Sequence, residues 1–214
     1  MHKISLILIF ILIVCCVVID PRPDLNFYDY KKYNPSLETL KINRKYILSE
    51  VKQLEKNEWI EWPEKELYGG IKDSWTIIPF FAFGKWSSHK DKYPKICKIL
   101  KEIKGLKTAL LSKMKSKTKL KPHQGWANLS NHILRCHYGI SVPNDCDIYV
   151  GDSKRTLQNN EIIMFDDSKI HWAENNSDED RIILIVDVDR PLSITRGKST
   201  VQDSSELKNI VNSL

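Results

Sequence analysis

From residue 133 onward the chain is a series of short apolar runs cut by turn-forming segments. ILRCHYGISV, DIYVG, EIIMFD, IHWAEN and RIILIVDVD are separated by VPNDC, DSKRTLQNN, DSK and NSDED. Runs this short, rich in Ile and Val and bounded by Gly, Pro, Asn or Asp, predict strands, and the gaps leave no room for the crossover helices of a parallel sheet. The chain is therefore expected to be mainly β, a sandwich or barrel with flanking N-terminal helices.

The upstream half reads differently. LETLKINRKYILSEVKQLEK, residues 37–56, carries Leu40, Ile42, Ile47, Val51 and Leu54 at helical spacing and predicts one or two helices. The aromatic stretch WIEWPEKELYGGIKDSWTIIPFFAFGKW predicts short strands and loops. Pro94 is placed to open a helix in which Ile96, Ile99, Leu100, Ile103, Leu106 and Leu110 trace one face. KMKSKTKLK, residues 113–121, alternates Lys with other residues, the mark of a strand with one wet face.

The N-terminus is set apart by ISLILIFILIVCCVVI, residues 4–19. As a helix it would span about 24 Å against a hydrocarbon core of about 30 Å. Its end, Cys-Cys-Val-Val-Ile, lacks the small residues of a cleavage site, so a single-pass N-terminal membrane anchor is expected, with a cleaved signal peptide and secretion as the alternative. Lys3 and Arg22 nearly balance, which leaves orientation open. The expected division is an anchor at 1–20, a linker with an N-terminal helix at 21–60, a catalytic-type domain at 61–195 and a tail at 196–214.

The net charge of +6 is concentrated: residues 85–121 hold thirteen lysines against Asp91 and Glu102. Placed on the polar face of a Lys-rich helical region at 94–121, these lysines form a solvated surface or a contact for anionic lipid. No recognition motif or interleaved aromatics accompany them, so nucleic acid is not an expected partner. Cys15, Cys16, Cys97, Cys136 and Cys146 have neither metal-type spacing nor the arithmetic of a disulfide framework. Asn128 and Asn175 each begin an N-x-S sequon, relevant only to a lumenal domain.

Strand geometry sorts the charged residues. Arg135 and His137 leave one face of their strand, and Arg181 shares a face with Ile183 and Ile185. Inward arginines need anions, either a bound carboxylate or phosphate or chain carboxylates such as Asp166, Asp167 and Asp187. His123 ends the lysine-alternating segment and His171 begins a strand, so the two can meet at a barrel mouth. Neutral imidazole suits iron, zinc, copper or nickel, although a single strand histidine is more often structural. His132 falls on the opposite side from Arg135 and His137.

Four ordered elements carry more. Pro-His-Gln-Gly at 122–125, Leu-Arg-Cys-His at 134–137, Phe-Asp-Asp-Ser at 165–168 followed by His171, and Arg-Ile-Ile-Leu-Ile-Val-Asp at 181–187 leading to Pro191 resemble the aspartyl/asparaginyl β-hydroxylase family. The resemblance is dense from Leu110 to Pro191 and thinner upstream to Trp75. It implies a double-stranded β-helix, a jelly-roll barrel, and an Fe(II)- and 2-oxoglutarate-dependent dioxygenase. It further implies His123 and His171 as iron ligands and Arg181 as the residue gripping the far carboxylate of 2-oxoglutarate. Trp75, Ser112, Arg135 and His137 are implied as further cosubstrate contacts. Gly125 stands where other oxygenases carry a carboxylate ligand, and Asp166, Asp167 and Ser168 are expected to orient His171 rather than to ligate metal. The implied chemistry consumes O2 and decarboxylates 2-oxoglutarate to succinate while hydroxylating an unactivated C–H bond. A peptide or protein side chain of Asp/Asn type is the first expected substrate, and a lipid acyl chain the alternative. A catalytically silent jelly-roll binding module at a membrane is the competing reading.

Overall fold

Alternation of inward and outward apolar residues draws the chain into twelve strands in the computed structural model, which describes residues 22–205. The first five are β1 (Phe27–Tyr28), β2 (Ile60–Glu61), β3 (Trp75–Ala82), β4 (Lys85–Trp86) and β5 (Leu106–Met114). There follow β6 (Thr118–Lys119), β7 (Ile133–Ser141), β8 (Cys146–Val150) and β9 (Ser153–Thr156). The last three are β10 (Ile162–Phe165), β11 (His171–Asn175) and β12 (Arg181–Asp189).

The larger sheet runs β1-β10-β7-β12-β5-β3-β2, with β4 beside β3, and the smaller runs β6-β11-β8-β9. From β5 on, the chain shuttles between them: β5, β7, β10 and β12 join one sheet and β6, β8, β9 and β11 the other. Antiparallel strands wound in this order form a double-stranded β-helix, the expected jelly roll.

Each face of the larger sheet is covered. Ile183 and Ile185 point between the sheets toward Trp75, Ile148 and Phe165, whereas Leu184 and Val186 point outward. That is why β12 is a nearly unbroken apolar run. The outward face is capped by the helices α1 (Tyr30–Tyr33), α2 (Glu38–Ile42), α3 (Arg44–Val51), α4 (His89–Lys92) and α5 (Pro94–Lys101). Through Leu40, Ile47, Ile96 and Leu100 they complete an outer core. Buried Glu50 of α3 closes the N-terminus of α5 by accepting the amides of Lys95 (2.9 Å) and Ile96 (2.8 Å), two donors that the helix cannot satisfy itself.

Several expectations are corrected. The region 94–121 is not one helix: α5 ends at Lys101, and Gly105 (φ +68°) turns the chain into β5. A Cβ at Gly105 would stand 2.9 Å from the Asp189 carboxylate, so the turn requires glycine. Leu106 and Leu110 continue the helical stripe in sequence, but the register shift between Asp187 and Val188 puts Leu106 against the outer core and Leu110 inside the barrel. The expected strand at 113–121 is likewise broken, by a turn with Lys117 at φ 56°. Its lysines are divided among acidic partners, Lys117 with Asp178 and Lys119 with Glu174. The lipid contact expected of a Lys-rich helix 94–121 therefore has no single helical face to act from.

Part of the expected linker belongs to the fold, because β1 pairs with β10 and Tyr28 and Tyr30 are buried. Strand β9, Ser-Lys-Arg-Thr, lies within a segment read as a turn; it is an exposed polar strand without an apolar signal. The sequon at Asn175 is sealed, since its fully buried amide donates to the carbonyls of Lys115 and Glu179. Among the described residues no helix is long and apolar enough to cross a membrane, and the apolar run 4–19 expected as an anchor lies outside them.

Candidate active site

Register places the inward side chains in rows. On β12, Ile183, Ile185 and Asp187 face Ser112, Leu110 and Thr108 of β5 on one side and Gly139, His137 and Arg135 of β7 on the other. Arg181 begins the series at its buried end, opposite Met114, which in turn faces Trp75 of β3. One row of side chains thus runs from a guanidinium in the core to a carboxylate at the mouth.

His123 and His171 meet across a two-residue bridge. Each backbone N–H donates to the other residue's carbonyl, at 3.0 and 2.8 Å, which holds the imidazoles with ring centres 4.4 Å apart. The Nδ1–H of His123 donates to the Lys121 carbonyl (2.8 Å) and that of His171 to the Lys169 carbonyl (2.9 Å). A carbonyl can only accept, so the proton of each neutral ring is fixed on Nδ1 and the lone pair on Nε2, the tautomer that binds metal. Burial depresses both imidazoles, His123 to about 3 with a further push from His171, and His171 to about 4. Both rings are neutral at pH 7.

The Phe-Asp-Asp-Ser turn holds this pair in place. Asp166 accepts the Ser168 amide and hydroxyl and is gripped by buried Arg190, whose guanidinium also reaches the carbonyls of Ile133, Ser130 and Thr195. Asp167 has Oδ1 3.4 Å from His171 Nε2 and 2.5 Å from Arg135 Nη1. Arg135 in turn forks onto Asp187 at 2.8 and 2.9 Å, and the Thr108 hydroxyl donates to the same carboxylate. Burial raises the Asp167 carboxyl above the usual range while the Arg135 charge pulls it back. The Asp167 carboxylate also fills the place of a side chain at residue 125: a Cβ on Gly125 would stand 1.8 Å from Oδ2. No ligand can therefore come from position 125.

At the other end, Arg181 is buried with its Nε–H and one Nη1 without hydrogen-bond partners, and burial depresses the guanidinium to about 10. His137 Nδ1 is likewise buried without a partner, and burial together with the Arg181 and Arg135 charges keeps that ring neutral. Ser112 Oγ accepts the Trp75 indole N–H at 3.0 Å, leaving its own proton to donate. Buried polar groups left without a partner in an otherwise well-paired interior are exceptions that call for one.

The structure thus brings His123, His171, Arg135, His137, Arg181, Ser112 and Trp75 into one barrel interior. The two arginines differ. Arg135 is held by chain carboxylates, Asp167 and Asp187, and Arg181 by none among the described residues. His132 lies apart, with Nε2 3.0 Å from Arg196. Sequence reasoning missed the role of Arg190, which follows the last strand, and a wall of three indoles near the His pair. Trp62 stacks on Trp75 at 4.6 Å and on Trp126 at 5.8 Å, and the Trp62 and Trp126 N–H groups both donate to Glu64. The Trp-Ile-Glu-Trp-Pro-Glu stretch was the signal for it, legible only as aromatic density.

The fold and site define the chain as a jelly-roll, double-stranded β-helix protein with paired imidazoles and a buried guanidinium, unpartnered among the described residues, inside the barrel. Within that class, the chain belongs to the aspartyl/asparaginyl β-hydroxylase family, whose model matches residues 41–191. An ornithine lipid ester-linked acyl 2-hydroxylase of Rhizobium tropici is 32% identical over 122 residues, 55% of this chain and 42% of that protein. The aspartyl/asparaginyl β-hydroxylase of Mus musculus is 29% identical over 167 residues, 74% of this chain and 22% of that protein. The chain spans less than half the length of either relative. Among solved structures, an oxidoreductase of the 2OG-Fe(II) oxygenase family from Burkholderia pseudomallei gives a TM-score of 0.45 at 10% identity, covering 72% of this chain and 82% of that one.

Proposed function

We propose that this chain is an Fe(II)- and 2-oxoglutarate-dependent dioxygenase that hydroxylates an unactivated C–H bond. The observation that carries the reading is the buried guanidinium of Arg181, without a carboxylate partner among the described residues, in the same barrel as two imidazoles locked in the metal-binding tautomer. The donor set fits the two groups. His123 and His171 would hold the metal through Nε2. Among the described residues no group of three His, Cys, Asp or Glu side chains is arranged around a metal, so the protein would contribute the imidazoles alone. Arg181 and the Ser112 hydroxyl would take the far carboxylate of the 2-oxo acid.

When bound, iron and 2-oxoglutarate supply the oxidising power, with decarboxylation to succinate driving insertion of one oxygen atom into C–H. What the chain's own residues do is position and neutralise. Lys121 and Lys169 carbonyls fix the imidazole protons on Nδ1. Arg135, clamped by Asp187, holds the Asp167 carboxylate beside the His171 Nε2. Ile183, Ile185 and Phe165 exclude water between the anion pocket and the imidazoles.

The relatives' names cover two substrate classes, Asp/Asn residues and the acyl chain of a lipid. The test of the reading does not depend on which applies. Succinate released from 2-oxoglutarate with Fe(II) is measured for the wild type and for His123→Ala, His171→Ala and Arg181→Ala. The reading expects loss of turnover in all three; turnover untouched by all three would refute it.

A further inference from the structure

Strand register sorts the loops of the barrel into two ends. Thr108, Arg135 and Asp187 mark the mouth, and beyond them lie the β3–β4 turn at Phe83, Gly105 before β5 and Arg190 after β12. Phe27 pairs with Phe165, itself opposite Arg135, so residues 22–26, which precede β1, join the mouth end. Lys169 and Ile170, just before β11, stand there too, with Lys169 Nζ donating to the Asp24 carbonyl. The turns at 71–74, 115–117, 142–145 and 176–180 close the opposite end, where Arg181 begins β12.

The two ends differ in charge and in apolar exposure. Leu192, Ile170, Phe83 and Leu25 at the mouth end are 91, 54, 50 and 49% exposed, four of the nine large apolar side chains left open among the described residues. Around them stand the exposed cations Arg22, Lys85, Lys104, Lys107, Arg196 and Lys198, against the exposed carboxylates of Asp24, Asp152 and Asp189. The opposite end reverses the balance, with Asp73, Asp145, Asp178, Glu179 and Asp180 against Lys72, Lys115 and Lys117. Lys107 and Lys198 reach Asp189 and Asp24 at 3.0 Å, but such exposed pairs are weak and leave the excess of positive charge at the mouth in place. Apolar side chains standing out among lysines and arginines suit the headgroup layer of an anionic bilayer.

The chain itself says what covers this end. Arg22 Nη1–H donates to the Leu192 carbonyl at 3.1 Å, and the Thr195 hydroxyl donates to the Arg22 carbonyl at 2.9 Å, so the start of the described chain is tied to the loop that carries Leu192. The apolar run 4–19 ends three residues before Arg22. Three residues of chain reach at most about 11 Å. The acidic end lies a further nine residues of β12 away, about 30 Å. A bilayer that takes up the run is therefore within reach of the mouth end and out of reach of the other.

We propose that the mouth end of the barrel is a membrane-docking surface, with Leu192, Phe83, Leu25 and Ile170 entering the headgroup layer and the surrounding cations meeting anionic lipid. Lys104 and Lys107 of the lysine-rich stretch then act from the barrel end and not from a helix face. The proposal concerns where the mouth lies, not what reacts there, and it does not rest on the dioxygenase reading.

Amide hydrogen exchange of the full chain on vesicles reads the face in contact without turnover. The probes are phosphatidylcholine vesicles with and without phosphatidylserine. With phosphatidylserine, exchange at 22–25, 82–85 and 190–198 should slow by at least about threefold, while 142–145 and 176–180 stay unchanged. Added salt should reduce the effect. Leu192→Asp should lose most of this protection, whereas Ile71→Asp, a substitution at a 67% exposed position of the acidic end, should keep it. Both sites are exposed, so both variants fold. Failure to bind the vesicles, protection at the acidic end, equal protection with and without phosphatidylserine, or full protection in Leu192→Asp would each overturn the proposal. Succinate release does not enter the measurement, so a failure here is distinct from a failure of the dioxygenase reading.

Discussion

Arg181→Met exchanges an unpaired buried guanidinium for an apolar chain of similar length, and two routes give the size of the effect. Burial lowers the guanidinium from 12.5 to about 10, which at about 1.4 kcal/mol per pH unit is a cost of about 3 kcal/mol for keeping it charged at pH 7. Independently, each orphaned buried donor costs about 1–3 kcal/mol, and Nε and Nη1 are both orphaned. The variant should therefore gain about 1–3 kcal/mol in the absence of ligand, after some loss from imperfect packing. For a chain of this size that raises Tm by about 2–12 °C. With Mn(II) and 2-oxoglutarate at about 100 times Kd, the wild type should gain about 2.7 kcal/mol and the variant nothing from the 2-oxo acid. Thermal unfolding of both proteins with and without the pair reads this crossover. A ligand-free variant destabilised by several kcal/mol, or one still stabilised by 2-oxoglutarate, would refute the reasoning that the buried Arg181 guanidinium costs stability which 2-oxoglutarate returns.

Gly125→Ala should cost at least about 3 kcal/mol, because its Cβ displaces the Asp167 carboxylate from Arg135; chemical denaturation checks it. Glu50→Ala should lose about 1–2 kcal/mol by uncapping α5 without altering 2-oxoglutarate binding, seen as a lower denaturation midpoint with unchanged calorimetric affinity. The metal-free protein should lose stability on acidification. His123 and His171 have folded values of about 3 and 4, below the usual 6.5, so the unfolded chain takes up protons first. Their contribution is complete above pH 6.5 and falls by about 2 kcal/mol between pH 6 and 5 for the two together. Denaturation curves at both pH values should show roughly half that loss in His171→Gln.

How much of this was legible in the chain depended on whether a residue's signal was local. β7, β11 and β12 could be read because their apolar runs are bounded by turn residues, and the parity of Arg181, Ile183 and Ile185 placed them on one face. α5 was overextended because Leu106 and Leu110 continue a helical period by coincidence, and only the bulge against β12 separates them. β9 has no apolar residue to announce it. Which arginine pairs with the chain itself was open from sequence, since it depends on Asp187 lying directly opposite Arg135 in register. The Trp62, Trp75 and Trp126 stack joins three distant segments and leaves no periodic trace.

The central claim is that His123, His171 and Arg181 form one site for Fe(II) and a 2-oxo acid. Anaerobic titration of the Fe(II)-loaded protein with 2-oxoglutarate, followed by the visible charge-transfer absorption of the iron chelate, tests it without any substrate. The account predicts a saturable band with one equivalent of each, absent in His171→Ala and abolished or weakened at least tenfold in Arg181→Met. A wild type that develops no band, or an Arg181→Met variant that develops it at wild-type affinity, would contradict it.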